Sequence, residues 1–308
     1  MTEEVTPDEI ARMAERIEAK AYGEVFQCLP GSSMVSIKVD ALNLLEGKGG
    51  IPAQLRDQYF DTQEQGIAAL SFVAEEDMFP STDTHRVLYM GMDEPATEDG
   101  VAAIFRFYEQ YHAPFRIQLT PYSQPSSLSQ WIVDRHPGVQ VSPGTDKFLW
   151  DAEAAPFQWN RADFGIVKID EGAAGAYAHT VADALLKTHE AWQRRRWTDC
   201  LEDTVGGRSQ WGWGWHHYVA IDGRRREDFA AAATYIWRDI AYLFISAIAG
   251  AERYEGVQQA LIQTRVEDAL QVEGVRWIVA DTRGGTSRSD LERAGFRHIY
   301  SRTDYGVA

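Results

Sequence analysis

Two kinds of apolar spacing alternate along the chain, and together they predict most of its elements. Residues 7–27 read as a helix, and the stretch from Gly31 to Thr82 is mixed, with "MVSIKVDAL" and "GIAALSFVA" as strand candidates. From His85 the pattern sharpens. "HRVLYMGM" is a short apolar run of strand type, and "DGVAAIFRFYEQYH" places Val101, Ile104, Phe105 and Tyr108 at helical spacing. "FRIQLTP" alternates and stops at a proline, "SSLSQWIVDRH" predicts a short helix, and "VQVSPGTDKFLWD" predicts a hairpin.

The second half repeats that order. "DFGIVKID" predicts a strand and "GAAGAYAHTVADALLKTHEAW" a helix; "WHHYVAIDG" is a strand ending in the turn signal Asp222-Gly223. "DFAAAATYIW" and "IAYLFISAIAG", joined by a turn at Arg238-Asp239, predict an antiparallel pair, because aromatic and β-branched residues outweigh the helix propensity of Ala230–Ala233. A helix follows over Gly256–Glu273, stopped by Gly274. "VRWIVAD" is a buried strand, "TSRSDLERAGF" a short helix ending at Gly295, and "FRHIYSRTDY" a last strand. Both halves thus end strand–helix–strand–helix–strand, which predicts an internal duplication of residues 1–152 and 153–308, joined near Ala152–Gln158.

Composition narrows the class. A chain of 308 residues accommodates two cores, and 44% hydrophobic with 25% charged residues is ordinary for a globular protein. No apolar run approaches the ~18 residues of a membrane span, and the acidic start "MTEEVTPDEIARMAERIEAK" is unlike a signal peptide. Cys28 and Cys200 lack metal-type spacing, so a reduced, cytoplasmic protein without a metal is expected. The net charge of −16 is uneven: residues 1–150 carry 11 Lys and Arg against 23 Asp and Glu, residues 151–308 carry 19 against 23. Such a field disfavours nucleic acid and anionic membrane and suits a cationic amine, solubility being the plainer reading.

The candidate chemistry lies in "AERYEGVQQALI". A helix N-terminus presents N–H groups without partners and the positive end of the helix dipole, and glycine lets a backbone wrap closely around phosphate. Arg253, Gly256 and Gln258, between a strand ending in small residues and a long helix, meet those demands. With "GGTSRSDLERAGFRHIYSR", this arrangement resembles the GNAT acyltransferase superfamily over about residues 158–305. Its pyrophosphate loop is Gln/Arg-x-x-Gly-x-Gly/Ala, and one subgroup ends in a pattern that Ser287, Arg293, Gly295, Phe296 and Arg297 fit.

The resemblance implies an α+β fold of two GNAT-like mixed β-sheets flanked by helices, the N-terminal half degenerate. It implies acetyl-CoA, or another acyl-CoA, as co-substrate and a small amine as acceptor. The backbone of Ile248, Ala249 and Gly250 would pair with the pantetheine arm. The loop opened by Arg253, with amides of Tyr254, Glu255, Gly256, Val257 and Gln258, would hold the pyrophosphate, and Ser287 would lie near the thiol end. Gln258 departs from the usual small residue. Leu291 stands where many members carry a tyrosine acid, and Asp290 where the subgroup has Asn.

The chemistry itself has three candidates. Asp281, ending the buried strand, is a proton acceptor or a cap for the next turn; Ser287 and Asp290 also fit a helix-capping box. His216 and His217 alternate to opposite faces of a strand, so one of the two can face the cleft as a general base, and His217 is taken as the candidate. Tyr300 is a replacement acid or a core residue. Trp211, Trp213 and Trp215 suit an aromatic pocket wall or a core closure. In the first half, "DEPATE" brings Asp93, Glu94, Glu98 and Asp99 to the matching helix start, where carboxylates repel a pyrophosphate. That half is expected to bind no CoA and to wall a cleft or form a subunit contact, which leaves a homodimer open. A CoA-binding protein without activity, and a transferase for larger or carrier-bound acyl groups, are the alternatives.

Overall fold

The computed structural model describes residues 5–27, 32–37, 68–73, 85–153, 165–205, 214–222, 227–249 and 256–307. They fall into two compact units: Met1–Thr145 with Tyr300–Ala308, and Asp146–Ile299.

The first unit opens with α1 (Pro7–Gln27). Its start is fixed by a reciprocal cap: Thr6 Oγ1 accepts from the Glu9 N–H (3.3 Å) while Glu9 Oε2 accepts from the Thr6 N–H (2.8 Å). Strands β1 (Ser32–Ile37), β2 (Ala68–Val73), β3 (Arg86–Leu88) and β4 (Phe115–Leu119) lie in that order. The β3–β4 pair is parallel, the others antiparallel. The C-terminal part of β11 (Arg297–Val307) pairs antiparallel with β4, Thr303 opposite Leu119. Helices α2 (Glu98–Gln110) and α3 (Leu128–Arg135) complete the unit. Its core joins Val101, Ile104, Phe105 and Tyr108 of α2 to Phe115 and Ile117 of β4. The helical spacing seen in the sequence therefore reports a real buried face.

The second unit holds β6 (Gly165–Ile169), α4 (Ala174–Leu185), α5 (Ala191–Thr204), β7 (Gly214–Asp222), β8 (Glu227–Trp237), β9 (Ile240–Ile248), α6 (Val257–Ala269), β10 (Trp277–Thr282) and α7 (Gly285–Arg293). Strands β6 to β9 form an antiparallel meander turning at Arg238-Asp239, β10 adds in parallel to β9, and β5 (Gln140–Asp151) pairs antiparallel with β10. Both units are mixed sheets with helices, the α+β class expected.

Three details differ from the sequence reading. "VQVSPGTDKFLWD" is one strand, β5, rather than a hairpin, because its second half is buried against β10 through six consecutive pairs, Asp146 to Asp151. The helix read over "GAAGAYAHTVADALLKTHEAW" ends at Leu185, and a second helix begins at Ala191. Glu190 and Gln193 cap each other's backbone amides and so begin α5 afresh. The helix over Gly256–Glu273 stops at Ala269, short of the left-handed Gly274 (φ 89°).

The sheet of the second unit has two distinct faces. On one, Asp268 of α6 accepts from His216 Nδ1 (2.5 Å), the Tyr218 hydroxyl (2.6 Å) and Lys168 Nζ (2.9 Å), which fastens the helix to β6 and β7. Burial alone would raise the Asp268 carboxyl, but these donors outweigh it and hold it well below the usual carboxylate range. On the other face, His217 is buried against Tyr177 of α4, with Thr204 Oγ1 at 3.2 Å from Nε2. The two histidines do point opposite ways.

Burial, reinforced by His216, pushes the His217 imidazole down to about 3. The unfolded chain takes up a proton near pH 6.5, the folded chain only near pH 3, so this histidine costs stability as pH falls between those values. Between pH 6.5 and 5 the wild type is expected to lose about 2 kcal/mol more than His217→Gln. Urea unfolding at the two pH values reads the difference; parallel losses in both proteins would refute it.

Candidate functional site

The site grows from an irregularity in β9. Ala232 of β8 faces Ser246, whereas Thr234 faces Leu243, so Phe244 and Ile245 together oppose the single Ala233. This is a β-bulge, which bends the strand. On its other edge β9 pairs with β10 only as far as Leu243–Ala280, although β9 runs on to Ile248 and β10 to Thr282. The two parallel strands therefore part at the bulge.

Among the described residues, the edge left open carries backbone groups without a strand partner. The Ala249 N–H donates to Phe229 O of β8 (2.8 Å). Strand alternation then turns the N–H and C=O of Ile248 and Ser246 towards the gap. At the gap's end stands α6. Its first helical bond runs from the Ala260 N–H to Gly256 O, so the amides of Val257, Gln258 and Gln259 have no helical acceptor. Gly256 takes the left-handed conformation (φ 82°) and supplies no side chain to cap them.

A cavity of about 710 Å³ joins these features. It is lined by Ser246 and Ile248 of β9, Gly256–Gln259, Ile262 and Arg265 at α6, Ala280–Thr282 of β10, and Thr286, Ser287, Asp290, Leu291 and Arg293 of α7. The groove suits an extended ligand: hydrogen-bonding backbone along one side, an amide-lined helix end for an anionic group, apolar walls between.

Of the residues singled out from sequence, Ile248, Gly256, Val257, Gln258, Ser287 and Asp281 meet in this cavity. Ala249 adjoins it in the chain; Gly250, Arg253, Tyr254 and Glu255 lie outside the described residues, as do Trp211 and Trp213. Ser287 does not cap its helix. Gly284 occupies that position, and Asp290 instead joins Gln259 of α6 (3.1 Å) to Arg293 (2.6 Å), holding α7 against α6. Leu291 is buried in the core shared with Ile262, Val266 and Phe148.

His217 and Tyr300 stand elsewhere. His217 is enclosed by Tyr177 and Trp215, and Trp215 itself is packed against Tyr235 and Phe244, with ring centroids at 5.0 and 5.1 Å. A histidine held neutral down to about pH 3 is a weak base at neutral pH. Tyr300 is buried in the first unit, its hydroxyl donating to Glu15 (2.6 Å) beside the Arg302 guanidinium, which also binds Glu18. Burial and the Glu15 carboxylate raise its pKa far above that of a free phenol. It serves an ion cluster that fastens α1 to β11.

Asp281 does not cap the following turn either; Thr282 Oγ1 does, accepting from the Gly284 N–H (3.3 Å). The Asp281 carboxylate accepts from the Tyr242 hydroxyl (2.8 Å) and lies 4.0 Å from Nζ of Lys147, which is fully buried and 5.0 Å from the Tyr242 ring. Lys147 faces Asp281 across the β5–β10 pair. Alternation along β9 and β10 puts Tyr242, Phe244 and Asp281 on the His217 face, whereas Ser246, Ile248 and α6 share the other, so the cavity opens through the gap between faces. Sequence reasoning missed Lys147; a lysine within the buried run "KFLW" was the available signal.

No family model matches the chain, and no curated protein does. Solved structures do match its fold. A tandem GNAT protein from the clavulanic acid biosynthesis pathway, solved without AcCoA, aligns with TM-score 0.56 and 13% identity, over 80% of each chain. A GCN5-related N-acetyltransferase from Sphaerobacter thermophilus aligns with TM-score 0.54 and 12% identity, over 90% of this chain and 96% of that one. A third, from Kribbella flavida, gives 0.52 and 12%, over 78% and 86%. At such identities the likeness speaks for fold.

Proposed function

We propose that this chain, which carries the tandem GNAT fold, transfers an acyl group from acyl-CoA, most simply acetyl-CoA, to a small amine in its second unit. The observation that carries this reading is the cavity running from the uncapped amides of α6 to the opening between β9 and β10. Val257–Gln259 suit the pyrophosphate, and the free edge at Ser246 and Ile248 suits an amide-bearing arm.

At the opening the acceptor nitrogen adds to the thioester carbonyl and forms the C–N bond. The carbonyl electron pair moves to oxygen, and its return breaks the C–S bond. The thiolate leaves and takes a proton from solvent, while Asp281, held by Tyr242 and Lys147, accepts the proton lost by nitrogen. The rate gain comes mainly from holding the reactants together in the right orientation.

The first unit is read as lacking a CoA site. Its helix α2 is closed by Thr97, whose side chain accepts from the Gly100 N–H (3.0 Å), and its first turn carries Glu98 and Asp99. Asp93 is paired with Arg16 at 2.7 Å.

Calorimetric titration with acetyl-CoA tests the reading: one site per chain is expected, and no binding at about 1 mM ligand would end it. A second reading, favoured by Leu291 being buried core at the position of the usual acid, is a CoA-binding protein without transfer. Binding with no thiol release across a panel of amines and with water would establish that one instead.

A further inference from the structure

Arg265 lines the cavity although it is only 2% exposed. It lies nine residues into α6 from Gly256, about 13 Å along the helix at 1.5 Å per residue, level with the bulge of β9. Its Nε donates to Leu261 O (3.1 Å), Nη1 to Ala233 O and Ile245 O (3.3 Å each), and Nη2 to Ser246 Oγ (2.8 Å). Ala233 and Ile245 are the residues across which the strand register slips.

All four acceptors are neutral, and among the described residues no carboxylate pairs with this guanidinium. Burial lowers its pKa to about 10, with the hydroxyls of Tyr218 and Tyr177 opposing, so it keeps its charge at neutral pH. A buried cation held only by dipoles is destabilising unless negative charge comes to the site. In acyl transfer that charge is transient and sits on the carbonyl oxygen while the nitrogen is bound.

We propose that Arg265 is a positioning residue for acyl transfer: it braces the bulge that parts β9 from β10, and its charge favours the oxyanion formed in the cavity. This rests on the acyl-transfer reading, since without that reaction no oxyanion forms. Preorganised positive charge of this kind acts on kcat rather than on binding.

The test measures thiol release from acetyl-CoA, with the best amine of a panel or with water alone, in wild type, Arg265→Met and Arg265→Lys. Arg265→Met is expected to lower kcat about 100-fold and to leave calorimetric affinity for CoA within about threefold. Arg265→Lys, which keeps the charge, should stay within about tenfold of wild type. Unchanged kcat in Arg265→Met, or equal losses in both variants, would overturn the proposal. If Arg265→Met fails to fold, Arg265→Lys decides alone, and a kcat below about 1% of wild type counts against it. Failure of the wild type to bind CoA would instead overturn the acyl-transfer reading, a result visible before any variant is made.

Discussion

Gly256→Asp is expected to weaken acetyl-CoA binding by more than 100-fold. Two effects combine. Gly256 holds φ 82°, where a side chain costs about 1–2 kcal/mol and shifts the turn that aims the next three amides. An aspartate before a helix usually stabilises it, but its capping geometry needs an extended backbone. Here the carboxylate would sit at the left-handed residue, beside the amides meant for the pyrophosphate, and would repel it. Gly256→Ala separates the two effects: backbone strain alone should weaken binding about 5- to 30-fold. Titration of the three proteins with acetyl-CoA reads both numbers. Gly256→Asp binding within about threefold of wild type would mean that the phosphates are held elsewhere.

The second large effect is expected at Asp281. Asp281→Asn keeps the shape and the hydrogen bond from Tyr242 but loses both the basic group and the counter-charge of Lys147. kcat for thiol release should fall about 100-fold, with affinity for CoA unchanged. Stability should also fall. Removing one partner of a buried pair costs about 3–5 kcal/mol, but Asp281 is 15% exposed and the pair is 4.0 Å long, so about 2 kcal/mol is expected here. Asp281→Asn with Lys147→Met should regain most of that stability and none of the activity, because the double variant also removes the buried ammonium that faced Asp281, without restoring a base. Thermal unfolding and steady-state kinetics on the same samples separate the two roles. Full kcat in Asp281→Asn would show that the proton leaves by another path.

The sequence by itself determined the order of elements. Val101, Ile104, Phe105 and Tyr108 repeat at helical spacing because they pack with β4 in one core, and "WIVA" is an unbroken apolar run because these residues of β10 are buried whichever face they take. Local chemistry also marked Gly256, since glycine takes a φ above zero without the strain a side chain would bring. These features are legible because their causes lie within a few residues of their effects.

What lay beyond the sequence depends on pairing between distant segments. Lys147 meets Asp281 only because β5 runs antiparallel to β10 in one register, and a slip by one residue would turn the lysine to the opposite face. The parting of β9 from β10 follows from a single extra residue at Phe244-Ile245, which leaves no mark on apolar spacing. Arg265 carried a partial sign: it sits four residues from both Leu261 and Ala269, on the apolar stripe of α6. Spacing could show that the arginine is buried; the bulge it grips is set by strand register, which only the folded sheet decides.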